Sequence, residues 1–427
     1  MKIAYVIPGT GGAFYCENCV RDLSLVKGLV EQGHEICVGS MYLPAMPDEP
    51  HPVKESPVFY GAVRLYLEHR WPALQRLPFG VRKVLDSGPL IALAARRAGS
   101  TRASGLEELT IDMLRGEAGS QAAELDRLVR WLGEHVQPDV VHLSNALLLG
   151  LAPRMRSALG ARVVCSLQDE ASWVATMPGS YPARVWALMA QHTQGVTCVA
   201  VSRYYADHVQ PLLGLEDGQL HVIPLGVDTE TFTPAASPPG VPTIGFLSRL
   251  NEGLGLGVLV DAFSELKRDP AFRSLRLRLA GGSTPEDSRF IRTIRRSLRR
   301  EGVLQDVDFV EEFDPERRAE FLRTLTLLSV PILEGEAFGL FQLEAMASGV
   351  PVVQPAVGGF PEVAELTGGS LVYEPDDTAS LVTALRRVLS DETERNALAR
   401  EGLTSAHNRF TIRQMATRMS EVYQNAE

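Results

Sequence analysis

Residues 334–353 read EGEAFGLFQLEAMASGVPVV, and this stretch decides the fold expected for the chain. It follows a short apolar run, turns on small residues, continues with a helical pattern and returns to a β-rich run after Gly349 and Pro351. A strand, a glycine-containing loop, a helix and a second strand form one crossover of a parallel sheet. The stretch therefore predicts an α/β domain whose ligand site lies at the carboxyl ends of its strands.

The same alternation recurs along both halves of the chain. Strands are predicted at residues 2–7, 35–39, 140–143, 161–167, 196–201, 243–247, 276–280, 307–310, 327–331 and 351–354. Helices are predicted at residues 20–32, 257–267, 288–301, 315–323, 342–348, 379–390 and 412–424. The pattern predicts two doubly wound, Rossmann-like domains that face a cleft, and 427 residues are enough for two such cores.

Domain boundaries follow from composition. The first domain is expected at residues 1–223, with a helical basic insertion at 60–115. A linker rich in proline and glycine follows at 224–242, and the second domain occupies 243–405. Residues 406–427 are expected to form a terminal helix that packs back on the first domain.

Composition excludes several classes of protein. Apolar residues make up 45% and charged residues 22%, which excludes a mainly disordered chain and a membrane bundle. The net charge of −10 argues against a general nucleic-acid binder. The apolar run before Pro8 is too short for a signal peptide, so a cytoplasmic location is expected. Five cysteines, an odd number, argue against a secreted disulfide framework.

The segment 64–102 departs from this pattern. It carries eight basic residues against two acidic ones, with aromatic and leucine residues between them. A solvated helical insertion is the favoured interpretation. Peripheral contact with the inner membrane face, or with an acidic acceptor, is the alternative.

The helix inside the first stretch predicts an anion site. Backbone N–H groups of Phe338, Gly339 and Leu340 would lie at its amino terminus, where a phosphate is favoured. Glu336 and Glu344 are eight positions apart, which is roughly 12 Å in a helix. They cannot act as a close pair on one bond, so they suit the two ends of an extended ligand.

This stretch resembles the E-x7-E segment of family-four retaining glycosyltransferases, E-x-F-G-x-x-x-x-E-A-M-A-x-G-x-P-V-V. The matching residues are Glu336, Phe338, Gly339, Glu344, Ala345, Met346, Ala347, Gly349, Pro351, Val352 and Val353. Other family landmarks occur in order along the chain, at residues 11–12, 201–202, 223–228, 248–250, 280–282 and 358–362. The resemblance implies the GT-B architecture, with the acceptor on the first domain and the nucleotide sugar on the second.

Residue roles are carried over from this resemblance. It implies that Glu336 contacts the donor sugar, Glu344 the ribose and Arg249 the diphosphate. Gly11 and Gly12 would let the first loop approach the diphosphate closely. Glu336 and Arg249 are thus the candidate catalytic residues.

The resemblance also implies a hexosyltransferase-type reaction with retained anomeric configuration and with neither metal nor cofactor. The donor would be a nucleotide-diphosphate sugar, and the acceptor a glycan, a lipid or a small molecule.

Two positions depart from the family pattern. The lysine usually found five residues after the arginine is replaced by Leu254, although N–H groups of the nearby glycines would be able to compensate. Where many relatives have a histidine, this chain has Asp169 and Glu170, which are weak candidates for sugar or acceptor contacts.

Cys16 and Cys19 form a C-x-x-C at the start of the first helix. A structural or acceptor-side role is favoured over a metal or redox role, because the second pair of ligands that zinc needs is missing from the sequence.

Two rival functions remain. A GT-B protein that binds a nucleotide sugar without transferring it is the alternative that Leu254 supports. A phosphorylase would need a lysine for its cofactor, and the second half has only Lys267.

Overall fold

A computed structural model describes residues 1–9, 14–42, 53–55, 59, 106–375 and 378–426. Gly11, Gly12 and the basic segment 64–102 lie outside these residues. The chain divides into two compact units. Unit 1 comprises Met1–Gly12, Leu25–Ile223 and Ala416–Glu427, and unit 2 comprises Ala13–Ser24 and Pro224–Met415.

Unit 1 contains a seven-stranded parallel sheet of order β3-β2-β1-β4-β5-β6-β7. Its strands are β1 (Lys2–Ile7), β2 (Glu35–Ser40), β3 (Lys54–Glu55), β4 (Val140–Leu143), β5 (Arg162–Leu167), β6 (Val196–Ala200) and β7 (Leu220–Val222). Helices are numbered along the described chain: α1 (Glu17–Glu31), α2 (Glu107–Leu114), α3 (Ala122–His135), α4 (Ala152–Leu159), α5 (Glu170–Ala175), α6 (Tyr181–Gln191) and α7 (Arg203–Leu213). Apolar side chains on both faces of the central strands are buried, as a parallel sheet between helical layers requires.

Unit 2 contains a six-stranded parallel sheet of order β10-β9-β8-β11-β12-β13. Its strands are β8 (Thr243–Leu247), β9 (Arg276–Ala280), β10 (Val307–Phe309), β11 (Leu327–Leu328), β12 (Val352–Pro355) and β13 (Ser370–Tyr373). The helices that follow α7 are α8 (Leu256–Lys267), α9 (Ser288–Arg300), α10 (Pro315–Leu322), α11 (Leu340–Ala347), α12 (Phe360–Thr367), α13 (Thr378–Ser390), α14 (Glu392–Arg409) and α15 (Ile412–Asn425).

Both sheets reverse their winding direction at one position. In unit 1 the first strand, β1, lies between β2 and β4, and in unit 2 the first strand, β8, lies between β9 and β11. Doubly wound sheets bind ligands at the carboxyl ends of the strands beside this switch point. The predicted α/β class with two Rossmann-like domains is confirmed.

The structure corrects several predicted elements. The strand predicted at 327–331 ends at Leu328, because Val330 donates its N–H to the Gln354 side chain and Pro331 has no N–H to donate. Strands β3, β7 and β13, the helices α3 to α7 and α12, and the long helix α14 were not predicted. β7 has only three residues, and α14 has no sustained apolar stripe that would mark a helix.

A buried histidine joins the sheet of unit 1 to the last helix. The ring of His142, on β4, is fully buried and stacks on Tyr5 with ring centroids 4.4 Å apart. Its Nδ1 lies 2.7 Å from the Tyr423 hydroxyl, and its Nε2 lies 2.8 Å from the Ser166 hydroxyl. Tyr423 belongs to α15, so this hydrogen bond ties the carboxyl-terminal helix to the sheet core. No helix among the described residues is long and apolar enough to cross a membrane.

Removing the Tyr423 hydroxyl should therefore destabilise unit 1. We expect Tyr423→Phe to lower the free energy of unfolding by about 1–2 kcal/mol, because a buried hydrogen bond to the His142 ring is lost. Urea denaturation followed by circular dichroism measures the change. Tyr204→Phe is the matched control, since Tyr204 is 42% exposed. An equal effect of the two substitutions would contradict this role for the hydroxyl.

Candidate functional site

The loop between β11 and α11 holds Glu336 through its backbone. The carbonyl of Glu336 accepts a hydrogen bond from the N–H of Gly359 at 2.8 Å. Gly358 has a φ of +62°, and a Cβ at this position would come within 2.7 Å of the Glu336 N and O atoms. The two chain segments therefore approach as closely as they do because residue 358 is a glycine. Glu336 itself is half-buried, and its Oε2 atom is buried.

Helix α11 begins at the position predicted for an anion site. Gly339, its N-cap, has a φ of +85° and no side chain with which to cap the helix. The N–H of Leu340 donates instead to Oε2 of Glu17 at 2.6 Å. Phe338 is 2% exposed, and its carbonyl accepts a hydrogen bond from the Gln342 side chain at 2.8 Å. The predicted residues Glu336, Phe338, Gly339 and Leu340 thus lie together at the amino terminus of α11. Glu17 also contacts this position, which the sequence did not predict.

Glu344 lies in a buried cluster with an arginine and a tyrosine. Its Oε1 accepts a hydrogen bond from Nη2 of Arg318 at 3.0 Å, and its Oε2 accepts one from Nε of the same arginine at 3.3 Å. The Tyr15 hydroxyl donates to Oε2 at 3.1 Å. The two charged side chains are 3% and 1% exposed. Glu344 therefore has a cationic partner on α10 that the sequence did not indicate.

Burial dominates the protonation behaviour of this cluster. It raises the pKa of Glu344, against the attraction of the Arg318 charge and the hydrogen bonds from Arg318 and Tyr15. Burial, together with the Glu344 charge, raises the pKa of the Tyr15 phenol well above its usual range. Tyr15 is therefore a neutral hydrogen-bond donor to Glu344 at physiological pH.

Arg249 follows β8 directly and is fixed by a carboxylate. Its Nε donates to Oδ2 of Asp287 at 2.8 Å, and its Nη2 donates to Oδ1 of Asp287 at 3.0 Å and to the Thr284 hydroxyl at 2.7 Å. The guanidinium lies over the Phe14 ring, 5.2 Å from its centroid. Within the described part of the chain Nη1 makes no hydrogen bond, so this nitrogen remains available to an anion.

The contacts of Asp287 with Arg249 also affect the pKa of Asp287. Burial alone would raise the pKa of Asp287. Hydrogen bonds from Arg249 and Thr284 outweigh this effect and hold that pKa below its ordinary value. Asp287 is therefore ionised at neutral pH and keeps the guanidinium in one orientation.

Fewer backbone N–H groups in the loop at Leu254 are available to replace the usual lysine than the sequence suggested. Leu254 is half-buried just before α8. The N–H of Gly253 donates to the Asn251 side chain at 2.6 Å, and the N–H of Gly255 donates to the Glu252 carbonyl at 3.2 Å. Both N–H groups are thus satisfied within the loop, so they are poor replacements for the missing lysine.

In unit 1, Glu170 joins the segments that follow β4, β5 and β6. Its carboxylate accepts hydrogen bonds from the N–H of Ala146 at 2.8 Å, the N–H of Gln168 at 3.0 Å and the Tyr205 hydroxyl at 2.7 Å. Burial raises its pKa, and these donors oppose that shift. Asp169 accepts a hydrogen bond from the Ser172 hydroxyl in the first turn of α5. Both residues hold the local backbone, and their contact with a sugar or an acceptor stays a prediction.

Cys16 and Cys19 are joined in a disulfide whose Cα atoms are 5.4 Å apart. The other three cysteines are buried and are not joined in disulfides. In the described ranges no group of three metal-ligating side chains is arranged to hold a metal ion.

Two family models match the chain in sequence order. The model for family-four glycosyltransferases matches residues 109–231, and the model for group 1 glycosyl transferases matches residues 241–391. The first match covers β4 to β7 of unit 1. The second covers β8 to β13 of unit 2 and includes Arg249, Glu336 and Glu344.

The chain belongs to glycosyltransferase family four.

Curated relatives and solved structures agree with this membership. A D-inositol 3-phosphate glycosyltransferase of Corynebacterium efficiens is 31% identical over 258 residues, which is 56% of this chain and 56% of that protein. The chain thus spans about half the length of the curated relatives it matches.

Solved structures match the fold over the whole chain. Sucrose-phosphate synthase from Thermosynechococcus elongatus has a TM-score of 0.73 at 20% identity, covering 99% of this chain and 98% of that one. Anabaena HepE in complex with UDP-glucose has a TM-score of 0.69 at 16% identity, covering both chains completely. The GT-B fold of this family-four member is therefore established.

Sequence reasoning missed the partners of the expected donor residues. Asp287 was not considered, although it begins a helix after the 280–282 landmark. Tyr15, Glu17 and Arg318 carry no local signal, since each acts on a residue distant in sequence or on another helix.

Replacing Asp287 by asparagine should loosen Arg249 and destabilise unit 2. We expect Asp287→Asn to lower the free energy of unfolding by about 3 kcal/mol at pH 7, because the buried guanidinium loses its counter-charge. The pKa of Asp287 is lowered by folding, so this contribution is full above the ordinary aspartate pKa of about 3.9. It is lost as the pH falls below that value.

Urea titrations from pH 7 down to pH 3 test both parts of this prediction. The stability difference between wild type and Asp287→Asn should narrow at the acid end. Asp217→Asn, at an exposed position, is the control. A difference that stays constant down to pH 3 would be inconsistent with a lowered pKa for Asp287.

Proposed function

We propose that the chain is a retaining glycosyltransferase that moves a hexose-type sugar from a nucleotide-diphosphate donor to an acceptor. One observation carries the proposal. Arg249, Glu336 and the amino terminus of α11 all follow β8 and β11, the neighbouring strands at the switch point of the unit 2 sheet. A basic fork, backbone N–H groups and a carboxylate in that position suit a diphosphate joined to a sugar.

Each residue has a role in this proposal. Nη1 of Arg249 and the α11 N–H groups bind the diphosphate and stabilise the charge that develops on it as the sugar leaves. Glu336 binds hydroxyls of the transferred sugar. Glu344 binds the ribose, for which Oε1 has acceptor capacity beyond its bond to Arg318. The UDP-glucose complex of Anabaena HepE, which shares the fold, supports a nucleotide-sugar donor.

The proposed reaction is a front-face displacement without metal. The acceptor hydroxyl attacks the face from which the diphosphate departs, and a leaving phosphate oxygen takes the acceptor proton. The positive charge of Arg249 takes the place that a divalent cation has in metal-dependent transferases.

The acceptor is a glycan, a lipid or a small molecule. The curated relatives are D-inositol 3-phosphate glycosyltransferases, so D-inositol 3-phosphate is one small-molecule acceptor to be tested. The rival function is donor binding without transfer, which Leu254 and the satisfied N–H groups of its loop favour.

A two-stage experiment decides between these functions. Saturation-transfer NMR against UDP-, GDP- and ADP-sugars identifies the donor, and incubation with acceptors of the three classes then measures transfer. The anomeric proton of the product reports retention. Donor binding without transfer to any acceptor would favour the non-catalytic rival, and an inverted product would exclude the retaining reaction.

Substitution of Glu336 should abolish transfer. We expect Glu336→Gln to lower the transfer rate by roughly a hundredfold or more, because the charged acceptor for the donor sugar is lost. Initial rates and the thermal melting curve are measured together. Glu334→Gln is the matched control, since Glu334 is exposed on the same loop. A near wild-type rate in a folded Glu336→Gln protein would remove Glu336 from the site.

Chelation should not affect the reaction. We expect the transfer rate to stay within about twofold of its starting value after excess EDTA and gel filtration, because Arg249 and backbone donors neutralise the diphosphate. If the rate fell to background and manganese restored it, the metal-free reaction would be wrong.

A further inference from the structure

The segment from Phe14 to Cys19 contacts three of the family landmarks in unit 2: Arg249, the glycines at 281–282 and the E-x7-E segment. Phe14 forms an isolated antiparallel bridge with Gly282, and the N–H of Tyr15 donates to the Gly281 carbonyl at 2.8 Å. The Phe14 ring packs under the Arg249 guanidinium. This segment is part of unit 2, although it precedes the rest of that unit by about 200 residues in sequence.

Glu17 occupies the anion position of α11. Helix amino termini favour negative charge because their first N–H groups lack partners within the helix and the helix dipole is positive there. The Leu340 N–H is such a group, and the Glu17 carboxylate accepts its hydrogen bond at 2.6 Å. In the proposed function the Leu340 N–H binds a donor phosphate. The Glu17 carboxylate and the phosphate therefore exclude each other from this N–H group.

A disulfide encloses the residue that makes this contact. Cys16 lies just before α1, and Cys19 is its third residue, so the bridge spans Glu17. The N–H groups of Cys19 and Val20 also donate to the Cys16 carbonyl at 3.0 Å. Both cysteines are half-buried.

We propose that Glu17 is a gating residue of the donor site: it competes with a donor phosphate for the amino terminus of α11, and the Cys16–Cys19 bridge holds it there. This inference rests on the proposed function, since the competing group is the diphosphate of the donor. Donor binding then requires the Glu17 carboxylate to leave Leu340. Breaking the bridge frees the turn that carries Glu17 and lowers the cost of this displacement.

The reductive step needs a dithiol as co-reactant. The dithiol breaks the Sγ–Sγ bond, and two electrons and two protons convert Cys16 and Cys19 into thiols. The reductant ends as a disulfide. Dithiothreitol serves as the probe.

Neutralising Glu17 tests the competition. Calorimetry with UDP and with inorganic pyrophosphate should show dissociation constants about three- to tenfold lower for Glu17→Gln than for wild type. Glu31→Gln, at an exposed position on the same helix, is the matched control and should bind as wild type does. If Glu17→Gln binds both probes equally to wild type, or more weakly, Glu17 is a structural cap of α11 and the inference is overturned.

Reduction tests the role of the bridge independently of that substitution. Dithiothreitol should lower the dissociation constant of wild type for pyrophosphate at least twofold and leave Glu17→Gln unchanged. The double variant Cys16→Ser, Cys19→Ser should bind as reduced wild type does, with or without dithiothreitol. Equal affinities of oxidised and reduced wild type would overturn the part assigned to the bridge.

The two proposals fail in different ways. If wild type binds UDP or pyrophosphate but Glu17→Gln shows no gain, the gate fails while the proposed donor site stands. If neither protein binds UDP, GDP, ADP or pyrophosphate, the donor site itself fails and the gate with it.

Discussion

Desolvated arginine–carboxylate pairs fix the loops of unit 2 on which the proposed chemistry depends. Arg249 and Asp287 are 5% and 4% exposed, and Arg318 and Glu344 are 3% and 1% exposed. Removing one member of such a pair leaves a buried charge uncompensated, which costs several kcal/mol. The cost of separating these charges therefore holds the loop that follows β8 at Asp287, and it holds α11 against α10. A site held in this way needs little reorganisation when a charged ligand arrives.

The two glutamates of the E-x7-E segment differ in environment. Glu344 is buried and bonded to Arg318 and Tyr15, whereas Glu336 is half-buried on a loop held by its backbone. A carboxylate that is tied by two partners has a fixed orientation, which suits recognition of one part of a ligand.

The sequence predicted what local patterns determine. The strands at residues 2–7, 140–143, 243–247 and 276–280 were predicted with the bounds that the structure has, because buried parallel strands are continuous apolar runs between polar turns. The loop that carries Glu336 also followed from local sequence, whereas α11 begins at Leu340, two residues before the helix predicted at 342–348. The contacts of Glu17 and Tyr15 did not, because 323 and 329 residues separate them from Leu340 and Glu344. The sequence did not indicate the contact of Arg318 with Glu344 either, since an arginine on a short polar helix is usually solvated.

Neither unit is a contiguous piece of the chain. Ala13–Ser24 belongs to unit 2, while Ala416–Glu427 belongs to unit 1. Gene rearrangement or laboratory shuffling that cuts at the linker around residues 224–242 would therefore exchange incomplete units. Each half of the chain would be separated from a segment that belongs to its unit. A transplanted carboxyl-terminal half would lose the Tyr15 hydroxyl from Glu344, and an amino-terminal half would lose the Tyr423 hydroxyl from His142. Each half of the chain carries a segment that completes the unit formed by the other half. A chimaera should therefore require matched termini as well as matched domains.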